Sequence, residues 1–556
     1  MHYRFRHMMW LLFVAIIDQP LAAAPKTTKQ PPKLVVVFIA DQCAWHYIPK
    51  LRPFFQHGLK ELLDNGIVYA NAYHPHGIPE TTTGHNSIAT GTLPKDHGAI
   101  LNQWITADYR KIAYDNGYIN PSTDLTYSGP KAQPASCRSC DKTMVDGLSD
   151  QFVLNTRPGT INKVVSVSLK SYPAIATAQR EGKAFWFDEK SGMFVTNQRY
   201  FATTPAWLTA FNKEHAPANL KQVTLTTCHD QDSRAYQFID AKNYDHAGYK
   251  FSMVQRGTMP IDRNTPTPYD LFIKTPTASE ILLELAKASV DNTLKNGSDR
   301  LILWVCLSNL DLLTHFYGPD SMETMDTIYH LDKQIKGFMD YAKRKVGEQR
   351  CLFVFTADHG ICPIPELVNK RGLTIARRIM AKPLMQAMND LIYKKYWERD
   401  IVKNYEPTYF VWNEQRMSAM KPEKRTAIIN ELKRFLKAQP GIKTAWTFDE
   451  LKNSTFRPEE LENFYKNQLY EGRSGDLIVM PQPYCQITNY PSGTSHLSPY
   501  DYDTHVPLIL YQKGSLEKKW VRTKVWMPQL AGTLAQILDV GRPSASIFNP
   551  LPGIER

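Results

Sequence analysis

Leu301-Ile302-Leu303-Trp304-Val305-Cys306-Leu307, followed closely by Asp311-Leu312-Leu313-Thr314-His315, decides how this chain is read. The apolar run predicts a strand, and it delivers an Asp and a His just beyond its end. Two further segments repeat the pattern. Lys33-Leu34-Val35-Val36-Val37-Phe38-Ile39-Ala40 ends in Asp41, and Leu352-Phe353-Val354-Phe355 leads into Thr356-Ala357-Asp358-His359-Gly360. Asp and His are donors that divalent zinc accepts. In an open α/β sheet, ligands gather at the carboxyl ends of the strands. Three strands bringing such donors to one edge predict an α/β fold with a metal centre: a central, mostly parallel sheet sandwiched by helices.

Each segment alone has a plainer reading. Asp-x-x-x-His on a helix is usually two solvated side chains, and Asp-His-Gly can be a turn in which Gly supplies a positive φ. A fourth segment shifts the balance: Pro79-Glu80-Thr81-Thr82-Thr83-Gly84-His85-Asn86-Ser87-Ile88-Ala89-Thr90-Gly91. It places hydroxyls at the start of a predicted helix, where free N–H groups and the dipole favour an anion. Alone it reads as a Thr-rich cap; beside three donor-bearing strands it reads as a nucleophile turn.

Together these segments resemble the alkaline phosphatase superfamily, which includes two-zinc phosphatases, nucleotide pyrophosphatase/phosphodiesterases, phosphoglycerate mutases and sulfatases. The resemblance implies an alkaline-phosphatase-like sheet with inserted cap segments. In the phosphatase and diesterase branches, a Thr three residues before a Gly-His or Asn-His pair attacks phosphorus. That spacing selects Thr81 and excludes Thr82 and Thr83. His97-Gly98-Ala99-Ile100-Leu101-Asn102-Gln103-Trp104 resembles a segment of the exported Thr-type alkaline phosphatases in which the Asn binds a phosphoryl oxygen, here Asn102. Asp320-Ser321-Met322-Glu323 and Gly493-Thr494-Ser495-His496-Leu497-Ser498-Pro499-Tyr500 are similar to the same group. The likeness runs from about residue 33 to about 538.

The resemblance implies two Zn2+ ions, with another divalent metal as the alternative. One is held by Asp311, His315 and His496, the other by Asp41, Asp358, His359 and the Thr81 oxygen. His505 is the runner-up to His496, because both precede the last predicted strand, Val506 to Tyr511. Thr81 then attacks phosphorus and a phosphothreonine forms, with Asn102 on an equatorial oxygen. Monoesterases of this group carry Lys-x-Arg to meet a dianionic phosphate. Here Lys170 matches, and Tyr172 stands at the Arg position. The implied activity is hydrolysis of small phosphate monoesters. A phosphodiesterase or nucleotide pyrophosphatase on the same metal site is one alternative, and a degenerate phosphate- or metal-binding protein is another.

At 556 residues and 43% apolar, the chain can bury one large core with inserted subdomains. The catalytic domain is assigned to residues 33–545, with insertions at about 134–268 and about 368–473. Arg4, Arg6, the apolar run Met8 to Ile17 and Leu21-Ala22-Ala23-Ala24 read as a signal peptide over residues 1–23. That implies an exported, periplasmic or secreted enzyme. The run is too short to span a bilayer, although Asp18-Gln19-Pro20 interrupts the usual pattern and leaves an uncleaved anchor as the alternative. The net charge of +12 is dispersed and no nucleic-acid-reading module is present. Segments 279–287, 328–342 and 421–437 are read as helices. Cys137 and Cys140 are expected to form a local disulfide, Cys306 to be a buried thiol, and Cys43 and Cys362 to meet at the metal-bearing edge.

Overall fold

The computed structural model describes residues 31–554 except 107–108, 116–124, 128–131, 135–137, 240–256, 262–264 and 266. The signal segment and Cys137 lie outside the described residues.

The apolar runs become strands. β1 (Leu34–Ala40), β2 (Ile67–Tyr73), β3 (Ile161–Ser168), β4 (Lys183–Asp188), β5 (Met193–Asn197), β6 (Asp299–Leu307), β7 (Cys351–Thr356), β8 (His505–Tyr511) and β9 (Lys519–Val521) belong to one sheet. Their order is β9-β2-β8-β7-β1-β6-β3-β4-β5. The central strands β7, β1, β6, β3 and β4 are mutually parallel, whereas β8 runs antiparallel to both β7 and β2. Every residue of β1, β6 and β7 is buried, so these strands carry no alternation of polar and apolar residues.

Register brings the strand ends into line. Ala40 pairs with Leu307, Ile39 with Thr356, and Cys306 with Ser168, so β7, β1, β6 and β3 finish together along one edge. His505, at the start of the antiparallel β8, pairs with Tyr73 at the end of β2, so β8 begins at the edge where its neighbours end.

Helices cover the faces, as helical apolar spacing predicts. Pro276–Thr293 and Met322–Val346 enclose the first two predicted helical segments, and Pro422–Lys437 matches the third. Phe338 meets Phe38 of β1 edge-on, with ring centroids 5.7 Å apart. A separate four-stranded antiparallel sheet (402–406, 409–412, 477–481, 442–447) has its own core, including Met388, Ile428 and Leu432. No described helix is long and apolar enough to cross a membrane. Cys306 is a buried free thiol, as expected, while Cys43 and Cys362 are separate free thiols rather than a bonded pair.

Candidate active site

Four strand ends supply the site. Asp41 follows β1 directly and Asp358-His359 follow β7. Lys170 caps the start of α2 (Ser171–Ala178) just beyond β3. Asp311 and His315 sit one turn apart on α4 (Asn309–Tyr317), directly after β6, which itself follows α3 (Pro276–Thr293). Helix α1 (Thr81–Thr90) places Thr81 at its first position, and all ten of its residues are buried. A Cβ on Gly84 would stand 2.2 Å from the Asp358 carbonyl oxygen, so α1 rides on the Asp358 backbone at a distance only Gly allows.

The donor atoms form two groups, Asp41 with Asp358 and His359, and Asp311 with His315 and His496. Within each, the atoms lie within 4.8 Å of one another. Thr81 Oγ1 is 3.5 Å from both Asp41 Oδ1 and His359 Nε2. Each histidine has its Nδ1 against a backbone carbonyl: His315 on Thr494 at 2.8 Å, His359 on Gly360 at 3.0 Å and His496 on Pro79 at 2.7 Å. A carbonyl only accepts, so each Nδ1 carries the proton and each Nε2 presents a lone pair to the site. This is the tautomer that ligating histidines adopt. The rings of His359 and His496 stack across the two groups.

Lys170 joins the groups from the other side. Its ammonium is 2.7 Å from Asp41 Oδ2 and 2.5 Å from Asp311 Oδ2. Burial opposes its charge, but these two carboxylates outweigh burial and raise its pKa well above the usual lysine value. Burial, with Asp311 and Asp358 adding to it, drives the Asp41 carboxyl well above the carboxylate range. Burial acts the same way on Asp311, where Lys170 and His315 overcome it and hold the group well below that range. Burial and the neighbouring His359 and His315 push His496 well below the usual imidazole value, which keeps it neutral. Three buried carboxylates and three aimed Nε2 lone pairs thus converge here, a donor set that fits a pair of divalent cations.

Asn102 is set one step back. Its Oδ1 accepts from Thr82 N–H at 2.9 Å, and its own N–H donates to Glu80 at 2.6 Å. With Lys170 and Tyr172 it lines an open cleft of about 980 Å³ beside the donor groups. Lys170 Nζ sits over the Tyr172 ring, 5.7 Å from its centroid. His505 lies apart: its Nε2 donates to Ala70 O at 2.8 Å, and its ring stacks on Tyr73 and Trp45 with centroids at 4.3 Å and 5.4 Å.

Sequence reasoning passed over Gln42, His85 and Glu80. Gln42 spans both groups, with its backbone N–H 3.1 Å from Asp358 Oδ1 and its Nε2 2.6 Å from Asp311 Oδ1. Its φ of 68° is a left-handed conformation rare outside Gly, and the residue type gives no hint of it. His85 Nδ1 lies 2.8 Å from Thr81 O and 3.2 Å from Asp358 Oδ2, so it couples the helix start to that carboxylate. Its place next to Gly84 was the available signal. Burial raises the Glu80 pKa to about 7, against the lowering effect of the Asn102 N–H.

Residues 35–507 match the family model described as type I phosphodiesterase / nucleotide pyrophosphatase. The chain is 26% identical to the alkaline phosphatase PafA of Elizabethkingia meningoseptica, over 98% of both chains. It is also 26% identical to the alkaline phosphatase PhoV of Synechococcus elongatus, over 94% of this chain and 92% of that one. The crystal structure of PafA superposes with a TM-score of 0.80 at 22% identity, covering 94% of this chain and 99% of that one, so the two share a fold.

Proposed function

The chain belongs to the type I phosphodiesterase / nucleotide pyrophosphatase family and is a phosphoric ester hydrolase, and we propose that it hydrolyses phosphate monoesters through a phosphothreonine on Thr81. The observation that carries this reading is the convergence of two donor groups and Lys170 around the Thr81 hydroxyl.

Asp41, Asp358 and His359, with Thr81, would hold one Zn2+, and Asp311, His315 and His496 would hold the other. Bound there, two divalent cations supply acidification of a hydroxyl and neutralisation of charge on a departing oxygen. The chain's own residues do the rest. The substrate phosphoryl group enters the cleft against Thr81, where the positive end of α1 favours its charge. The Thr81 oxygen forms a bond to phosphorus as the bond to the alcohol oxygen breaks, and the alcohol leaves. Asn102 fixes the first turn of α1 through Thr82 N–H, which holds Thr81 in line. Water then cleaves the phosphothreonine, releasing inorganic phosphate and restoring the hydroxyl. Lys170 meets a non-bridging oxygen as a point charge.

A diesterase is the second reading, because Tyr172 provides no second cation for a dianion. Of the two inserted segments, about 134–268 and about 368–473, the first contributes β3, β4 and β5 to the central sheet, so the cap on leaving-group access is assigned to its remainder and to the second. The N-terminal residues 1–23 direct export to the periplasm or medium.

The test is Thr81→Ala. The variant loses turnover of p-nitrophenyl phosphate by several orders of magnitude yet keeps its metal content, and native enzyme quenched in acid carries phosphate on Thr81. Phosphate found on Thr82 or Thr83, or full turnover in metal-free protein, overturns the mechanism. A native protein that binds phosphate without turnover is a binding protein.

A further inference from the structure

A third group of donors lies outside this site. Cys228, in the inserted segment just after strand 222–225, faces Asp326 and His330 on α5 (Met322–Val346). One Cys Sγ, one carboxylate oxygen and one imidazole nitrogen lie within 4.8 Å of one another. Asp326 and His330 are four residues apart, the spacing that turns two helical side chains to the same side.

We propose that Cys228, Asp326 and His330 form a structural Zn2+ site that fastens the inserted segment to α5. Three features carry the proposal. First, Asp326 is fully buried and its two oxygens are used unequally. Oδ1 accepts from Cys228 N–H at 2.7 Å and from the Tyr236 hydroxyl at 2.5 Å, while Oδ2 accepts no hydrogen bond. This buried oxygen faces the His330 imidazole, 3.3 Å away, and saturating its twin fixes the direction in which it points.

Second, that oxygen points at a crowded nitrogen. His330 Nε2 is 3.3 Å from Asp326 Oδ2 and 2.9 Å from the Thr226 carbonyl oxygen, with Cys228 Sγ in the same group. One N–H proton cannot serve three electron-rich atoms well, whereas a divalent cation between them serves all. Third, the donor types agree with zinc: thiolate, imidazole and carboxylate, with Thr226 O or a water completing four. Binding releases the thiol proton to solvent and displaces the proton on Nε2. The group shares no residue with the two donor groups at Thr81, which contain no sulfur.

That last difference gives the test. Metal-free native protein is loaded with Co2+ and its near-ultraviolet absorption recorded. A thiolate-to-cobalt charge-transfer band is expected, because among the donor groups of the described residues only this one contains sulfur. Cys228→Ser abolishes the band and lowers bound metal by about one ion per chain, while phosphatase turnover stays within about twofold. Thr81→Ala retains the band, so the result is independent of the catalytic reading. A second measurement needs no variant: Zn2+ slows alkylation of Cys228 by iodoacetamide in the native protein at least tenfold. No band in native protein, a band that survives in Cys228→Ser, or alkylation that ignores Zn2+ overturns the proposal.

Discussion

The imidazole rings of His359 and His496 stack with centroids 3.7 Å apart and planes 23° from parallel. One ring belongs to each donor group, so the groups share a wall and neither can shift alone. His496→Ala removes both the wall and an Nε2 donor. It is expected to lose about one bound metal ion per chain and to lower kcat/KM at least a hundredfold, read by metal analysis and steady-state kinetics. His505→Ala retains its metal and most of its turnover but melts earlier, because it loses the Tyr73 stack and the Ala70 hydrogen bond.

Lys170 and Tyr172 set the preference between esters. A monoester carries one more negative charge than a diester. Lys170→Ala should therefore depress monoester kcat/KM more than diester kcat/KM, by roughly tenfold in the ratio. Tyr172→Arg adds a bidentate cation beside the same cleft and moves the ratio the other way. Rates on p-nitrophenyl phosphate and its bis ester measure both. An unmoved ratio would remove Lys170 from contact with phosphate.

Gly84 limits how closely α1 approaches Asp358. The methyl group of Gly84→Ala would meet the Asp358 carbonyl at 2.2 Å, so the helix must retreat and carry Thr81 with it. The expected cost is about 1–3 kcal/mol of stability, with a loss of turnover much larger than the melting shift implies. Denaturant titration and kinetics on the same preparation separate the two.

Asp476 predicts a pH effect remote from catalysis. Burial raises its carboxyl from the ordinary carboxylate range to about 6, with the Trp412 N–H at 3.0 Å opposing the rise. A raised folded-state pKa means the group's stabilising contribution is complete below the unfolded value and is lost as pH rises through about 6. Asp476→Asn keeps an acceptor for Trp412 and removes the charge. Its melting temperature should exceed the native one above pH 6, with the gap closing as pH falls towards 4. A gap independent of pH would exclude the titration.

The strands β1, β6 and β7 were legible because burial on both faces leaves uninterrupted apolar runs. Asp41, Asp311, Asp358 and His359 were legible because each stands within a few residues of a strand end. Lys170 was found only by resemblance. Its place between Asp41 and Asp311 depends on β3 and β1 flanking β6, a pairing across 129 residues that no local pattern encodes. His496 and His505 look alike in sequence, since both precede the apolar run Val506 to Tyr511. The chain between them turns through a positive φ at Leu497 (111°). Gln42 stayed hidden because its backbone conformation is imposed by its contacts and not by its side chain.

The late strand β8 sits between β2 and β7, so strands from opposite ends of the chain are neighbours. As a ribosome delivers this polypeptide, β2 emerges early and waits more than four hundred residues for its partner. Loop closure over that span is slow, and an open strand edge invites pairing with other molecules. His496 arrives just before β8, so the last donor and the strand that closes the sheet come together. A growing chain therefore has no partial form of this enzyme: assembly waits for its final tenth, and until then a holding chaperone has β2 as its natural handle.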